Sequence, residues 1–298
     1  MPRLLLTGMS GFLGWNVARL APSAWEIIGT VRTRPVELAS ASSERVDLTD
    51  TAGLEALFAR LSPDAVLHAA ARTDPNYCQV HRDEAWRQNV DVCAALAALC
   101  AGRGIPLVYT STDLVFGGGQ APYGEDDEPV PVNVYGASKA AGEQAVRSAY
   151  SDACICRMPL MFGPAHAAAG SFVQPMLKAA RAGDRLSLFT DEYRTPASAR
   201  AAVQGLFLAL ENGRGLTLHL GGAERISRCD FGYRLLEAFA LPAEVIRPCL
   251  QADVPMAAPR AKDVSLDCLR ARRLGFAPWP LAEELKWLKT ELTQRGDE

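Results

Sequence analysis

The chain alternates between short, largely apolar runs and longer stretches in which apolar residues recur every three or four positions. "RLLLTG", "EIIGTV", "DAVLHAA", "PLVYTST" and "ACICRM" are of the first kind. Short runs that are apolar on both faces predict strands buried in a parallel sheet. "WNVARLA", "DTAGLEALFARLS", "DEAWRQNVDVCAALAALCAGRG" and "YGASKAAGEQAVRSAY" lie between them and have helical spacing, the third closed by glycine. Strands alternating with helices predict an α/β fold of the Rossmann type, a doubly wound parallel sheet with helices on both faces. The rhythm weakens after about residue 157, where Pro and Gly interrupt it in "MPLMFGPAHAAAG", "RTPASA" and "APWPLAEE". The C-terminal part reads as a smaller α+β region.

Composition narrows the function classes. Of 298 residues, 49% are hydrophobic and 22% charged, with net charge −3, which is ordinary for a globular protein. No Lys/Arg run forms the basic stripe of a nucleic-acid binder, and no stretch approaches the ~20 apolar residues of a membrane span. The opening "MPRLLLTGMSG" has too short an apolar run for a signal-peptide core, so it reads as the first strand and a cytoplasmic protein is expected. The eight cysteines include no C-x-x-C pair and the four histidines are scattered, so no metal site is expected. The thiols are expected free and mostly buried in a reducing compartment, with Cys154 and Cys156 facing the same side of one strand.

The turn after the first strand carries the first chemistry. "TGMSGFLGW" places Gly8, Gly11 and Gly14 between strand and helix. Glycines there permit a tight turn, close approach of backbone to a pyrophosphate, and helix-on-strand packing. The helix N-terminus then offers free N–H groups to phosphates. At the end of the second strand a ribose-binding acid would sit about 20 residues on; here "GTVRTRP" has Arg32 and Arg34 instead. An arginine fork suits a 2′-phosphate, so NADP(H) is expected over NAD(H). Further on, Tyr135 and Lys139 in "VYGASK" are four apart and share a helix face.

Taken together these motifs resemble the extended short-chain dehydrogenase/reductases. The matching stretches are "TGMSGFLG", "VDLTD", "HAAARTD", "STDLVF", "VYGASK" and "RMPLMFGP". Within them the chain is most similar to the dTDP-4-dehydrorhamnose reductase group, through "STDLVFGGGQAPYGEDDEPVPVNVYGASKAAGE" and the tail "PRAKDVSLDCLRARRLGF". The resemblance implies a NAD(P)-binding Rossmann domain over 1–157, with a segment at about 198–220 returning to it, and a mainly substrate-binding region over 158–298. It implies reduction of a keto group, on a nucleotide-activated sugar, by a monomer or homodimer. Thr112, Tyr135 and Lys139 become the catalytic set. Tyr135 would protonate the carbonyl oxygen, its pKa lowered from near 10 by Lys139 and the nicotinamide cation. Lys139 would also bond the nicotinamide ribose, and Thr112 would polarise the carbonyl. Gly8, Ser10, Gly11, Phe12, Leu13 and Gly14 would lie along the pyrophosphate, and Asp47 and Leu48 would flank the adenine. Ala69, Ala70 and Ala71 would let the cofactor pass close to their strand. Thr112, Asp113, Phe116, Leu160 and Arg194 are the implied substrate contacts. Asn89 in "RQNV" matches a family position that is structural or functional, and Arg157 is expected to be structural.

Two departures bear on the substrate. Leu160 stands where the group usually has an aromatic, and "EYRTPA" has Arg194 where the group has glycine. That arginine either binds a sugar-nucleotide phosphate or rims the cleft. Reductase chemistry is therefore better supported than the dTDP-sugar. Two alternatives stay open. One is an epimerase or dehydratase of the same superfamily; "STDL" offers a dehydratase only Asp113 as an acid beside the hydroxyl. The other is a non-catalytic regulatory subunit that binds cofactor and a partner enzyme.

Overall fold

The apolar runs form strands because each buries both faces: Leu4, Leu5 and Leu6 are all at most 1% exposed. The computed structural model describes residues 1–33, 35–166 and 169–296. The first half runs β1 (Arg3–Thr7), α1 (Phe12–Leu20), β2 (Glu26–Val31), β3 (Ala41–Arg45), α2 (Thr51–Leu61), β4 (Ala65–His68), α3 (Pro75–Val80), α4 (Arg82–Trp86), a π-helical turn (Arg87–Asp91), α5 (Val92–Ala101), β5 (Leu107–Thr112), α6 (Val134–Ala149) and β6 (Cys154–Met158). The second half runs β7 (Met161–Phe162), α7 (Val173–Ala182), β8 (Leu186–Phe189), β9 (Tyr193–Arg194), β10 (Ala197–Ser198), α8 (Ala199–Asn212), β11 (Thr217–His219), β12 (Ile226–Ser227), α9 (Arg228–Ala238), β13 (Ile246–Cys249), α10 (Leu269–Arg273) and α11 (Leu281–Arg295).

Seven strands form one parallel sheet in the order β11-β6-β5-β4-β1-β2-β3. The order reverses at β1, between β2 and β4, and in such sheets ligands bind outside the carboxyl ends of the strands at that point. One apolar core, including Leu4, Leu6, Trp15, Leu67, Leu206 and Phe207, fills the sheet face under α1 and α8. The other, including Leu5, Leu54, Phe58, Leu96 and Tyr109, lies under α2, α5 and α6. The α/β alternation of the sequence is thus realised, with two strands beyond the five apolar runs: β3, "ASSER", pairs in parallel with β2, and β11 with β6.

The C-terminal lobe has its own core of Phe162, Leu177, Phe231, Leu235 and Leu288, among others, drawn from α7, α9 and α11. Three two-stranded ladders, β10-β7, β12-β9 and β13-β8, frame it. Between them the chain revisits the large sheet: β11 pairs with β6, Leu218 opposite Cys156.

The long helix expected over 83–104 is interrupted by the π turn, and Asn89 shows why. Its side chain accepts from Arg72 N at 2.8 Å and donates to Arg72 O at 3.0 Å and to Ser138 Oγ at 2.9 Å. One extra residue in the turn aims this amide at the strand-end backbone, a use typical of π bulges near sites. Among the described residues, no helix is long and apolar enough to cross a membrane.

Candidate active site

The carboxyl ends of β1, β4, β5 and β6, the start of α1, and β8–β9 of the lobe enclose a cleft of about 620 Å³. Its floor is the glycine turn. Gly8 has φ +75°, and a Cβ on it would lie 2.8 Å from the Ala70 backbone. A Cβ on Gly14 would lie 2.2 Å from Gly8 O, so the turn can only be this tight with glycine at both places. Gly11 is the N-cap of α1 and no side chain caps the helix. The first-turn residues Phe12, Leu13 and Gly14 line the cleft together with Gly8, Ser10 and Gly11. An uncapped helix N-terminus over a glycine turn, with room beside it, is a fit for a dinucleotide pyrophosphate.

Arg32, Asp47 and Leu48 line one end of the same cleft, and Ala69, Ala70 and Ala71 line its wall. Thr7 Oγ1 accepts from Ala69 N and Ala70 N at 3.1 and 3.2 Å, which fixes that wall to β1. Arg32 is exposed. The Asp47 carboxyl is held below its usual range by hydrogen bonds from Thr49, with help from the Arg32 charge. Arg34 lies outside the described residues.

Thr112, Tyr135 and Lys139 meet at the middle of the cleft. Thr112 ends β5, and Asn133 caps α6 by accepting from Gly136 N at 2.9 Å, which brings Tyr135 and Lys139 in on the first turns. The Thr112 hydroxyl accepts from Leu114 N at 3.2 Å and donates to Asp113 Oδ1 at 3.2 Å. Burial pushes the phenol above its ordinary value, and the neighbouring Thr112 hydroxyl pulls the other way. Tyr135 is 8% exposed, and the Lys139 ammonium gives one proton to Thr110 O at 2.8 Å and lies over the Tyr109 ring. Burial lowers the Lys139 pKa, while Cys93 and Glu143 oppose that.

Two expected substrate contacts do not reach the cleft. Asp113 is 0% exposed, and both carboxylate oxygens accept from Arg194, Nε at 2.7 Å and Nη2 at 2.6 Å. Phe116 is also fully buried, stacked on Tyr123 with ring centroids 4.1 Å apart and 6° between planes. Leu160 and Arg194 do line the cleft. Arg157 lies behind it in a buried bidentate pair with Glu143.

The structure adds groups that sequence reasoning passed over. Arg72, Gln88, Ser187, Glu192, Arg228 and Arg260 all line the cleft. Arg228 packs over Phe172 at 4.4 Å, and burial brings its pKa down to about 10. Arg260 Nε is buried with no hydrogen-bond partner among the described residues. The lobe side of the cleft is thus cationic, a fit for an anionic substrate group. No periodicity marks these residues: Arg72, Glu192 and Arg260 lie in loops, Ser187 in the short β8, Gln88 in the π turn and Arg228 at the first residue of α9.

Chemically the site offers a protonated phenol, a polarising hydroxyl and an ammonium beside a dinucleotide-sized trough. Among the described residues no cluster of His, Cys, Asp or Glu is placed to hold a metal ion.

The chain is similar to known proteins over nearly its whole length. The family model described as RmlD substrate binding domain matches residues 2–293. A probable low-salt glycan biosynthesis reductase, Agl14 of Haloferax volcanii, is 32% identical over 95% of this chain and 96% of its own. Methionine adenosyltransferase 2 subunit beta of Bos taurus is 29% identical, covering 97% of this chain and 90% of its own. The crystal structure of dTDP-4-dehydrorhamnose reductase from Bacillus anthracis in complex with NADP superposes with a TM-score of 0.87 at 24% identity, over 98% of this chain and all of that one.

Proposed function

The chain belongs to the RmlD substrate binding domain family, in the extended short-chain dehydrogenase/reductase fold, and from that premise we propose that it reduces a keto group of a nucleotide-activated sugar with NADPH. The observation that carries the reading is the convergence of Thr112, Tyr135 and Lys139 on the trough that begins at the glycine turn. The N–H groups of Phe12, Leu13 and Gly14 would hold the pyrophosphate and Arg32 the 2′-phosphate, with Leu48 and Ala69–Ala71 along the nucleoside. When bound, the reduced nicotinamide supplies the hydride.

The protein's own residues do the acid chemistry. A phenol held above its ordinary pKa by burial is fully protonated at neutral pH, the form that gives a proton to a carbonyl oxygen gaining charge. Thr112 orients that phenol and that oxygen. Lys139, buried and near Glu143, stabilises the phenolate left behind and holds the nicotinamide ribose. Arg228 and Arg260 would meet the sugar-nucleotide diphosphate. Asp113, tied at both oxygens to Arg194, is not free to act as an elimination acid, which favours reduction over the dehydratase alternative.

A second reading has one observation behind it: a relative over 97% of the chain is a subunit beta of methionine adenosyltransferase. In that case the chain would bind cofactor, and a partner enzyme, without turnover. The test is steady-state loss of NADPH absorbance with dTDP-activated 4-keto sugars. Sugar-dependent turnover supports the reductase; cofactor binding with no turnover on any of them supports the regulatory subunit.

A further inference from the structure

Arg194 reaches the active site from the lobe, and its fork is already spent. Its Nε and Nη2 donate to Asp113 Oδ2 and Oδ1, and Nη1 lies 3.5 Å from Glu192 Oε1. Both members of the main pair are buried, Arg194 at 6% and Asp113 at 0% exposure. The arginine is itself fixed: β9 pairs with β12, Ile226 opposite Arg194, and Tyr193 N donates to Lys262 O at 2.7 Å. Asp113 directly follows Thr112, and the oxygen that accepts from Arg194 Nη2 is the one that accepts the Thr112 hydroxyl proton.

We propose that Arg194 is a positioning residue for the reduction: it neutralises and pins Asp113, which orients the Thr112 hydroxyl against Tyr135. The single Thr112 proton rests on Asp113 Oδ1 at 3.2 Å while the hydroxyl oxygen accepts from Leu114 N, and with the Asp113 charge met by Arg194 the hydroxyl can turn that proton to the Tyr135 oxygen or to the carbonyl. The bidentate bond sets where Oδ1 sits, and so where the hydroxyl points. It also sets the charge. An ionised Asp113 without its arginine would grip the Thr112 proton and oppose the negative charge that grows on the Tyr135 oxygen as it gives up its proton. The other charged groups facing the pair are Glu192, on the Arg194 side, and Arg228 of α9. An arginine engaged in this way is not available to bind a substrate phosphate. The inference rests on the proposed reductase activity.

The test compares Arg194→Gln, Arg194→Lys, Asp113→Asn and the double variant Asp113→Asn/Arg194→Gln in the full chain, with NADPH and whichever dTDP-activated 4-keto sugar the wild type turns over. Arg194→Gln is expected to lose about 10- to 100-fold in kcat with sugar KM and NADPH Kd moved less than about threefold, the signature of an effect on the reacting groups. The double variant, which has no stranded carboxylate, is expected to regain about tenfold of kcat over Arg194→Gln. Arg194→Lys keeps the charge but cannot bridge both oxygens, and should lose roughly threefold or more in kcat. It carries the test if Arg194→Gln does not fold. A wild-type kcat in Arg194→Lys or Arg194→Gln overturns the inference. So does a raised KM at constant kcat, which would make Arg194 a substrate ligand, and so does failure of the double variant to regain activity. A wild type inactive on every such sugar overturns the proposed function and the inference with it, whereas the other adverse results overturn the inference alone.

Discussion

The ammonium of Lys139 donates to the carbonyl oxygen of Thr110 at 2.8 Å. That bond ties α6 to β5 two residues before Thr112, so the helix that carries the phenol and the strand that carries the hydroxyl keep one spacing. It uses one of three ammonium protons and leaves two for groups in the cleft that Lys139 lines.

Tyr135 and Lys139 should therefore fail differently. Tyr135→Phe removes only the proton donor, and kcat should fall by about 10²–10⁴-fold with NADPH affinity nearly intact. Lys139→Met removes a cofactor contact as well as the charge, so kcat and NADPH affinity should fall together. Parallel turnover and fluorescence titration of NADPH distinguish the two. A Tyr135→Phe enzyme with wild-type kcat would show that the phenol is not the acid.

Arg32 is exposed at the end of the trough, where a 2′-phosphate would bring nearly two negative charges. Losing one charge-assisted contact of about 1.5–3 kcal/mol predicts that Arg32→Ala weakens NADPH by roughly ten- to a hundredfold. NADH, with no group there, should change little. Dissociation constants for both cofactors decide it, and equal weakening would remove Arg32 from the phosphate site.

The Glu143–Arg157 pair is a stability element. Glu143 and Arg157 are 6% and 4% exposed, and Ser111 also donates to Glu143. Arg157→Met strands a buried carboxylate and should cost about 3–5 kcal/mol. Adding Glu143→Gln should return part of that loss. Urea unfolding at an unchanged m-value measures both.

Acid should destabilise the fold through His68 and His219, whose pKa values are both brought down to about 3 by burial. In His68, Thr7 Oγ1 already accepts two backbone N–H groups, so its proton goes to Nδ1 at 2.6 Å, and Nε2–H faces Cys93 Sγ at 3.2 Å. An imidazole free in the unfolded chain takes its proton near 6.5, the folded one only near 3. Between those values the unfolded state binds more protons, so stability present above pH 6.5 is lost as pH falls through about 3. The loss amounts to on the order of 5 kcal/mol per histidine. Unfolding free energies at neutral and acid pH should show a shallower acid limb in His68→Asn than in wild type; equal slopes would mean that His68 does not govern it.

The sheet was readable as far as β6 because its strands are apolar on both faces and its helices are not. β3 escaped that reading: "ASSER" is a polar edge strand, none of whose residues is buried, so nothing in its pattern separates it from a loop. The π turn escaped it as well, because its cause is tertiary, an amide bonded to Arg72 and Ser138. Asp113 and Phe116 looked like cleft residues from their neighbours. Asp113 is sealed by an arginine 81 positions later and Phe116 by the Tyr123 ring, contacts that local patterning does not encode. Arg228 and Arg260 reach the cleft from separate parts of the lobe, and only the folded chain brings them together.

The strand that completes the sheet comes late. β6 ends at Met158, but its outer partner β11 begins only at Thr217, after the chain has laid down β7 to β10 and α8. On the ribosome, β6 therefore emerges with its outer edge unpaired while the next stretch is still being made. Such an edge is a template for pairing with another chain. The interval between β6 and β11 is the one in which a nascent copy of this protein is most in need of a chaperone or of dilution.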